Sequence, residues 1–257
     1  MAGPIHVYFV CGGKWHDMDF ARAEILGALL ELPRVRTRVA EDFTDLEALA
    51  DADCLVTYTC DLRLAQEEQE ALLQFVSEGK RWFALHGTNS VMEFLAEGVA
   101  IPRTHDTLMQ TLGSRFIAHP PVAPYEVEIV APDHPLVSGL EAFEVVDELY
   151  LCEYHGEIEP LLQTRYTGKA PGFVEDDWPG DDPRLVMYLH PVGRGEVLYL
   201  TLGHCRGRYD MRPLMDEYPQ VERGSWDSPE FRELLRRGLA WSSQGGEAFA
   251  SVREETS

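Results

Sequence analysis

Apolar and polar residues follow two different periods along the first part of this chain. Short apolar runs at residues 5–11, 54–59 and 81–85 predict buried strands. Residues 35–39 alternate between apolar and basic side chains, which predicts a strand near the edge of the sheet. Apolar residues at helical spacing, which predict helices, occupy residues 21–32, 43–50, 66–77 and a stretch that resumes at 91–95. Strands that are apolar on both faces and are connected by helices indicate a parallel sheet covered on both sides.

The second half of the chain has shorter strands and more turn-forming residues. Strands are predicted at residues 125–130, 143–146, 159–166, 185–189 and 196–202, and helices at residues 108–113 and 230–241. Residues 190–195, HPVGRG, are typical of a hairpin, whereas residues 167–183 predict a loop. We therefore predict one α/β domain over residues 1–244, with three layers, a mostly parallel sheet, helices on both faces and an added antiparallel hairpin. Residues 245–257 predict a flexible tail.

The composition is that of a globular protein of enzyme size. With 257 residues, 45% of them hydrophobic and 26% charged, the chain can bury a full core. A net charge of −22 argues against nucleic acids and anionic membranes as partners. No apolar run approaches the roughly 18 residues of a spanning helix, and the N-terminus lacks the basic region of a signal peptide, so we expect a cytoplasmic protein. Five scattered cysteines without a C-x-x-C pair predict reduced thiols.

Residues 81–89, RWFALHGTN, predict a buried strand that ends in a tight turn containing glycine. A strand that delivers one polar side chain at such a turn is how nucleophile-elbow folds hold a reactive group above the sheet. The delivered residue here is His86, a histidine, and not the Ser or Cys that serves as a nucleophile. We therefore interpret His86 as the leading site residue, with a histidine hydrogen-bonded under the turn as the competing interpretation.

Other candidate histidines follow the ends of predicted strands. Ligands of parallel α/β sheets gather beyond the carboxyl ends of the strands, so His16, His86 and His204 are expected on one rim. His119 precedes two prolines, which stiffen the loop that carries it. A buried, hydrogen-bonded loop histidine is an equally good interpretation of His119.

Asp147 and Glu148 are the candidate acidic residues. Because they are adjacent in an extended segment, their side chains point to opposite faces, and only one of them is expected to reach the site. Tyr150 shares a face with Glu148, which favours Glu148. The competing interpretation is a solvated acidic pair before a strand. Arg206 and Arg208 follow His204 and are candidates either for substrate contacts or for surface counter-charges.

Several motifs, taken in order, connect the chain to a known family. They are ALHGT at residues 84–88, LGSRFIAHP at 112–120, DHPLVSGL at 133–140, DELY at 147–150 and GRGEVLYLTLGH at 193–204. In order and spacing they resemble the trehalose-utilisation (ThuA-like) family, a branch of the class I glutamine amidotransferase-like superfamily, over roughly residues 5–243.

The resemblance implies a flavodoxin-like fold and a role in carbohydrate utilisation, because members of the family are associated with oxidation of disaccharides to 3-keto sugars. It also implies that His86 stands where amidotransferases carry their cysteine nucleophile, and His204 where they carry the base. Without a thiol at the elbow, glutamine hydrolysis through a thioester is not expected. The chain departs from the family pattern at residues 82–85, which are bulkier than the usual glycine-rich approach, and at residues 15–17, WHD, where paired histidines are common.

From these residues we expect an enzyme, of isomerase, hydrolase or lyase type, that acts on a sugar or keto-sugar derivative. The expected catalytic residues are His86, His204 and Glu148. The expected substrate-binding residues are His16, His119 and Tyr150. Two chemistries stay open: acid–base catalysis by the histidines and Glu148, and polarisation by a divalent metal, with Zn²⁺ as the expected ion. The candidate metal ligands are His86, His119, Glu148 and His204.

The alternative is a non-catalytic sugar-binding or regulatory module on the same fold, which the missing nucleophile supports. Histidines and one carboxylate on a single rim argue against it, because passive sugar binding relies more on amides and aromatic rings. A small sugar or sugar derivative is the expected partner, with neither nucleic acid nor membrane, and the sequence leaves a homo-oligomer open.

Overall fold

Nine strands form one mixed sheet across the computed structural model, which describes residues 3–244. The strands of these residues are β1 Ile5–Gly13, β2 Val35–Ala40, β3 Cys54–Cys60, β4 Arg81–Leu85, β5 Glu93–Leu95, β6 Gly98–Ala100, β7 Ser114–Ala118, β8 Ala123–Ile129, β9 Phe143–Asp147, β10 Leu151–Tyr154, β11 Glu159–Arg165, β12 Gly168–Lys169, β13 Asp177–Trp178, β14 Pro183–Val192 and β15 Gly195–Leu200. The helices are α1 Met18–Leu30, α2 Leu46–Asp51, α3 Gln66–Ser77, α4 Asp106–Leu112 and α5 Pro229–Gln244, with 3₁₀ turns at His86–Asn89 and Gly224–Asp227.

The order of strands in the main sheet is β2-β1-β3-β4-β15-β14-β11-β8-β9. Neighbours from β2 to β15 pair in parallel, and neighbours from β15 to β9 pair antiparallel. The α/β architecture is therefore confirmed, but the antiparallel part is a half-sheet and not a single hairpin. Strand β9 alternates buried and exposed residues, which is typical of an antiparallel strand with one solvated face.

Helices cover the parallel half on both faces and create two cores. Residues Val7 and Phe9 of β1 face the core formed with α1 and α5, whereas Tyr8 and Val10 face the core formed with α2, α3 and α4. Helix α5 packs especially close to the sheet, since a Cβ atom on Gly238 would lie 2.3 Å from the ring of Phe83. Both faces of the parallel strands are thus buried, which leaves their carboxyl ends as the place where polar side chains collect.

The prediction of a helix that resumes at residues 91–95 is wrong. The elbow continues into the 3₁₀ turn and then into the β5–β6 hairpin. Phe94 and Leu95 are 43% and 46% exposed, so their apolar spacing does not mark a buried helix face. The ring of Phe94 instead lies 4.8 Å from that of Trp15, and the backbone of Val99 pairs with the segment around Phe173.

Strands β7 and β10, which pair antiparallel with each other, were not predicted. The predicted loop at residues 167–183 contains the short β12–β13 pair. Helix α2 begins later than predicted because the side chain of Asp45 caps it by accepting the N–H of Ala48 at 3.0 Å. Among residues 3–244, no helix combines the length and apolar character needed to cross a membrane. The tail predicted for residues 245–257 lies outside the described residues.

Candidate active site

Segments that follow the carboxyl ends of β1, β4 and β15 bring three histidines together with one glutamate. The four side chains are His16, His86, His204 and Glu148, here named the histidine–glutamate cluster. One ligand atom from each can be chosen so that all lie within 4.8 Å of one another. None of these residues is more than 5% exposed. The topology explains the convergence, because parallel strand ends share one rim and the exit from β9 crosses to it.

Glu148 is the hub of the cluster. Its Oε2 atom lies 3.4 Å from Nε2 of His86 and 3.7 Å from Nε2 of His16. Its Oε1 atom lies 3.1 Å from Nδ1 of His204 and 3.6 Å from Nε2 of His119. Burial raises the pKa of Glu148, but His119 and His204 outweigh it and hold that pKa well below its ordinary value. Glu148 is therefore a buried carboxylate surrounded by imidazole nitrogens.

His86 occupies the elbow in a left-handed backbone conformation, with φ of 47°. Its Nδ1 atom donates to the carbonyl of Thr201 at 2.7 Å. A neutral His86 therefore keeps its lone pair on Nε2, which faces Nε2 of His16 at 2.8 Å and the hydroxyl of Tyr150 at 3.3 Å. The adjacent Gly87 does not adopt a left-handed φ; it supplies space, since a Cβ there would lie 2.8 Å from Cβ of Cys60.

His204 links two carboxylates. Its Nε2 atom donates to Glu222 at 2.8 Å while its Nδ1 atom faces Glu148. Burial lowers the pKa of His204, but Glu148 and Glu222 outweigh burial and raise that pKa to about 9. Burial and then the neighbouring His86 lower the pKa of His16 to about 3. Two histidines of one cluster thus have opposite proton affinities.

Asp147 is buried beside Glu148 and has a different task. Its carboxylate accepts the backbone N–H groups of Glu148 at 2.7 Å, Gly203 at 3.0 Å and Ser225 at 2.9 Å, together with that of His204 at 3.2 Å. The interpretation as a solvated acidic pair is wrong, because Asp147 and Glu148 are only 1% and 2% exposed. Asp147 holds the backbone that carries the cluster.

Glu222 and Arg206 complete the surroundings. Arg206 donates to Glu148 at 3.3 Å and to Glu222 at 3.1 Å. The surface alternative for Arg206 is wrong, because its side chain is only 12% exposed. The sequence gives no motif that points to Glu222, which lies in an irregular segment; the one signal is its backbone pairing with Arg206, a tertiary feature.

The remaining candidates lie at different distances from the cluster. His119 contacts Glu148, donates from Nδ1 to the carbonyl of Pro120 at 2.7 Å, and has a side chain that is 24% exposed. Tyr150 lies against His86, as its hydroxyl contact shows. His190 lies outside the cluster and is hydrogen-bonded to the backbone carbonyls of Glu157 and Gln110. Three of the four candidate metal ligands, His86, Glu148 and His204, lie close enough together to hold one ion. The fourth member of that group is His16, and His119 lies outside it.

A groove of about 640 Å³ opens beside His16. Its lining includes Trp15 and charged side chains such as Lys14, Asp61 and Asp210. A cavity of about 720 Å³ between α1, α2 and β2 has none of the cluster residues in its lining. Of these two, the groove beside His16 is the one that contacts a residue of the cluster.

Comparison with known proteins identifies relatives of this chain and of its fold. The chain matches the family model ThuA, described as trehalose utilisation, over residues 7–216. No curated protein sequence matches it. The solved structure of a ThuA-like protein from Bacteroides uniformis has a TM-score of 0.65 at 15% identity, with 97% of each chain covered. That of a ThuA-like protein from Parabacteroides merdae has a TM-score of 0.61 at 16% identity, covering 94% of this chain and 91% of that one.

A more distant structure also aligns along the whole chain. A Thermoplasma acidophilum protein described as part of a GMP synthase has a TM-score of 0.51 at 11% identity, with coverage of 100% and 99%. Identities this low show a shared fold alone. The family model, by contrast, spans most of the sequence and confirms the resemblance carried by the motifs. The chain therefore belongs to the trehalose-utilisation family, ThuA.

Proposed function

We propose that this chain is an enzyme of carbohydrate utilisation that acts on a sugar or keto-sugar derivative at the histidine–glutamate cluster. The observation that carries the proposal is the position of Glu148, whose two oxygens lie 3.1–3.7 Å from nitrogens of four histidines. So many titratable groups around one buried carboxylate are typical of a site that transfers protons or binds an ion. Membership of the family supports sugar utilisation as its setting.

The arrangement supports chemistry at a carbonyl or hydroxyl-bearing carbon. Without a bound ion, His16 with its lowered pKa and His204 with its raised pKa form a proton acceptor and a proton donor within one cluster. Enolisation next to a keto group, hydration of that group and elimination all need such a pair. His119, whose side chain is 24% exposed, is the most accessible of the four histidines around Glu148.

The groove beside His16 supports a polyhydroxylated substrate. Carboxylates and an indole ring together suit sugar hydroxyl groups and the apolar face of a sugar ring. The proposal includes a class I amidotransferase-like ancestry, supported by the likeness to the Thermoplasma fold. It excludes glutamine hydrolysis, because His86 stands at the elbow and no thiol is delivered there.

A cytoplasmic setting is part of the proposal and is supported by the five free, buried thiols. The net charge of −22 supports a partner that is neither nucleic acid nor anionic membrane.

A non-catalytic sugar-binding or regulatory module is the second candidate. The burial of His86 and His204, both 0% exposed, favours it, because a substrate reaches them only after side chains move. Turnover distinguishes the two candidates, since a binding module retains affinity for the sugar without changing it.

The test is a set of sugars and keto sugars incubated with the protein in D₂O and followed by NMR. An enzyme of this class exchanges the proton next to the carbonyl or forms a product. Glu148→Gln preserves the shape of the side chain and removes its charge, so the rate should fall by about 10²-fold or more. His134→Asn, which changes a half-buried loop histidine outside the cluster, is the matched control and should keep the rate. Binding without exchange or product by the unmodified protein would establish the module instead.

A further inference from the structure

We propose that His16, His86, His204 and Glu148 together bind one divalent transition-metal ion, with Zn²⁺ as the expected occupant. The inference deepens the proposed function and rests on it for what the ion does to a sugar. The binding itself is argued from the geometry of the cluster alone.

The first argument is the direction in which each histidine is held. Nδ1 of His86 donates to the Thr201 carbonyl at 2.7 Å, and Nε2 of His204 donates to Glu222 at 2.8 Å. Nδ1 of His16 faces the carbonyl of Lys14 at 3.4 Å. In each ring the other nitrogen points toward the common centre. An outer acceptor that fixes the tautomer of an inward-facing imidazole is the usual support of a metal-ligating histidine.

The second argument is a conflict between lone pairs. With Nδ1 of His86 protonated by its bond to Thr201, Nε2 of a neutral His86 is an acceptor. It lies 2.8 Å from Nε2 of His16, which is also an acceptor if Nδ1 of His16 donates to Lys14. Two facing acceptors repel unless a cation lies between them. A metal ion satisfies both nitrogens at once, whereas a proton on His16 Nε2 leaves its Nδ1 without a hydrogen for Lys14.

The third argument is an unpartnered atom. Nδ1 of His204 is buried and makes no hydrogen bond of acceptable geometry, although Oε1 of Glu148 is only 3.1 Å away. Buried polar atoms in native proteins are nearly always partnered, so an orphan of this kind calls for a ligand. The orphan points into the same cluster as the two facing nitrogens.

The spacing also fits an ion. Ligand atoms at about 2.0–2.2 Å from a tetrahedral Zn²⁺ are separated from one another by roughly 3.4 Å. Nε2 of His16 and Nε2 of His86 are 2.8 Å apart and lie 3.7 Å and 3.4 Å from Oε2 of Glu148, whereas Nδ1 of His204 lies 3.1 Å from the other oxygen, Oε1. These distances lie on either side of the separation expected between two ligand atoms of a tetrahedral ion. One ligand atom from each of the four residues can be chosen so that no two are more than 4.8 Å apart.

The donor set selects the kind of metal. Three imidazole nitrogens and one carboxylate suit Zn²⁺ and its first-row neighbours, whereas Mg²⁺ and Ca²⁺ prefer oxygen ligands. The charged side chains around the cluster also favour a divalent cation. Glu148 and Glu222 carry two negative charges, and Arg206, which contacts both, carries one positive charge. When bound, such an ion supplies Lewis-acid polarisation of a carbonyl or of a water molecule.

The experiment measures metal content on untagged full-length protein by mass spectrometry, followed by titration of the dialysed protein with Zn²⁺ and with Co²⁺. We expect close to one equivalent per chain, and a visible Co²⁺ spectrum of the four-coordinate type. His16→Ala and Glu148→Gln should each lose the ion, and circular dichroism checks that both variants fold. Glu222→Gln, which removes the negative charge of the outer acceptor of His204, should weaken binding about 10–100-fold. His134→Asn, at the loop histidine outside the cluster, should retain the full equivalent and is the matched control.

The result that overturns the inference is a folded protein that contains no divalent metal and takes up neither Zn²⁺ nor Co²⁺. Retention of the ion by both His16→Ala and Glu148→Gln would overturn it equally, because the ion would then lie elsewhere. Failure of the proposed function looks different. A protein that binds one ion but turns over no sugar supports this inference and removes the enzyme, whereas a chelated protein with undiminished sugar turnover removes the role of the ion and keeps the enzyme.

Discussion

The carboxylate of Asp147 accepts the backbone N–H of His204 at 3.2 Å, across a gap of 57 residues in the sequence. The same carboxylate accepts the N–H of Glu148, so one buried side chain fixes the backbone on which two members of the cluster stand. The two adjacent acidic residues therefore have different roles. Asp147 accepts hydrogen bonds from the backbone, whereas Glu148 faces the histidine side chains.

Asp147→Ala is expected to lower the free energy of unfolding by about 3 kcal/mol or more, because several buried N–H groups lose their acceptor at once. Urea denaturation measures the effect. Glu144→Ala, at an exposed position of the same strand, is the control and should change stability little. Equal stability of the two variants would mean that water replaces the carboxylate.

His86→Ala should abolish activity and also destabilise the fold, since the imidazole is fully buried and bonded to Thr201. His86→Gly should be equally inactive but more stable than His86→Ala by about 1 kcal/mol, because glycine tolerates the left-handed φ of 47°. Denaturation curves and rates on both variants check this. Activity in either variant would return His86 to a structural role.

Gly87→Ala should reduce both stability and activity. A methyl group there would lie 2.8 Å from Cβ of Cys60 and from the carbonyl of Thr59, so the elbow must shift. Gly27→Ala in helix α1 is the matched control; no atom lies within 4 Å of its added Cβ. The control should gain about 0.5–1 kcal/mol because alanine is the better helix residue. Thermal melts of both proteins decide the matter.

Thiol reagents should leave the function intact, and no glutaminase activity is expected. Burial raises the pKa of Cys205 to about 12 and that of Cys60 well above its ordinary value, so neither forms a reactive thiolate at neutral pH. Iodoacetamide treatment of the native protein, followed by an assay and a mass measurement, checks both points. Inactivation that substrate prevents would sink the idea of inert thiols.

Alkaline pH should destabilise the protein. Burial raises the pKa of Cys11, Cys54, Cys152 and Cys205 to about 12 in the fold, from an ordinary value of 9.0. The native state therefore binds more protons than the unfolded state between these limits. The stability contributed by these thiols is complete below 9.0 and is lost as the pH rises toward about 12. The slope is about 1.4 kcal/mol per pH unit for each thiol at its steepest.

Urea denaturation at a series of alkaline pH values measures that slope. Cys54→Ala removes one thiol from the count and should flatten the curve in proportion. A stability that stays constant through this interval would contradict the argument.

The sequence predicted the parallel half of the fold well because its strands are buried on both faces and its helices are periodic. Strand β4 and helix α3 have the predicted bounds. The β5–β6 hairpin was missed because Phe94 and Leu95 have helical spacing without helical burial, and the contact of Phe94 with Trp15 forms only in the folded chain. The extent of the antiparallel half depended on strand pairing, which a single strand does not reveal.

The strand-end rule also brought His16, His86 and His204 to one rim. The rule did not predict Glu222 as part of the site. Glu222 accepts the hydrogen bond of His204 only because the chain between the two residues folds back. Nor did it assign Asp147, because a buried acid that binds backbone N–H groups has no sequence signature that separates it from a solvated one.

The four members of the cluster come from distant segments, with His16 and His86 alone separated by 70 residues. Whatever joins them therefore closes long loops of chain, much as a disulfide does, and loop closure removes entropy from the unfolded ensemble. Glu148 follows β9, the last strand of the antiparallel half, whereas the histidines follow strands of the parallel half. Occupancy of the cluster would thus couple the two halves of the sheet, so that they unfold together and release a bound ligand in the same step.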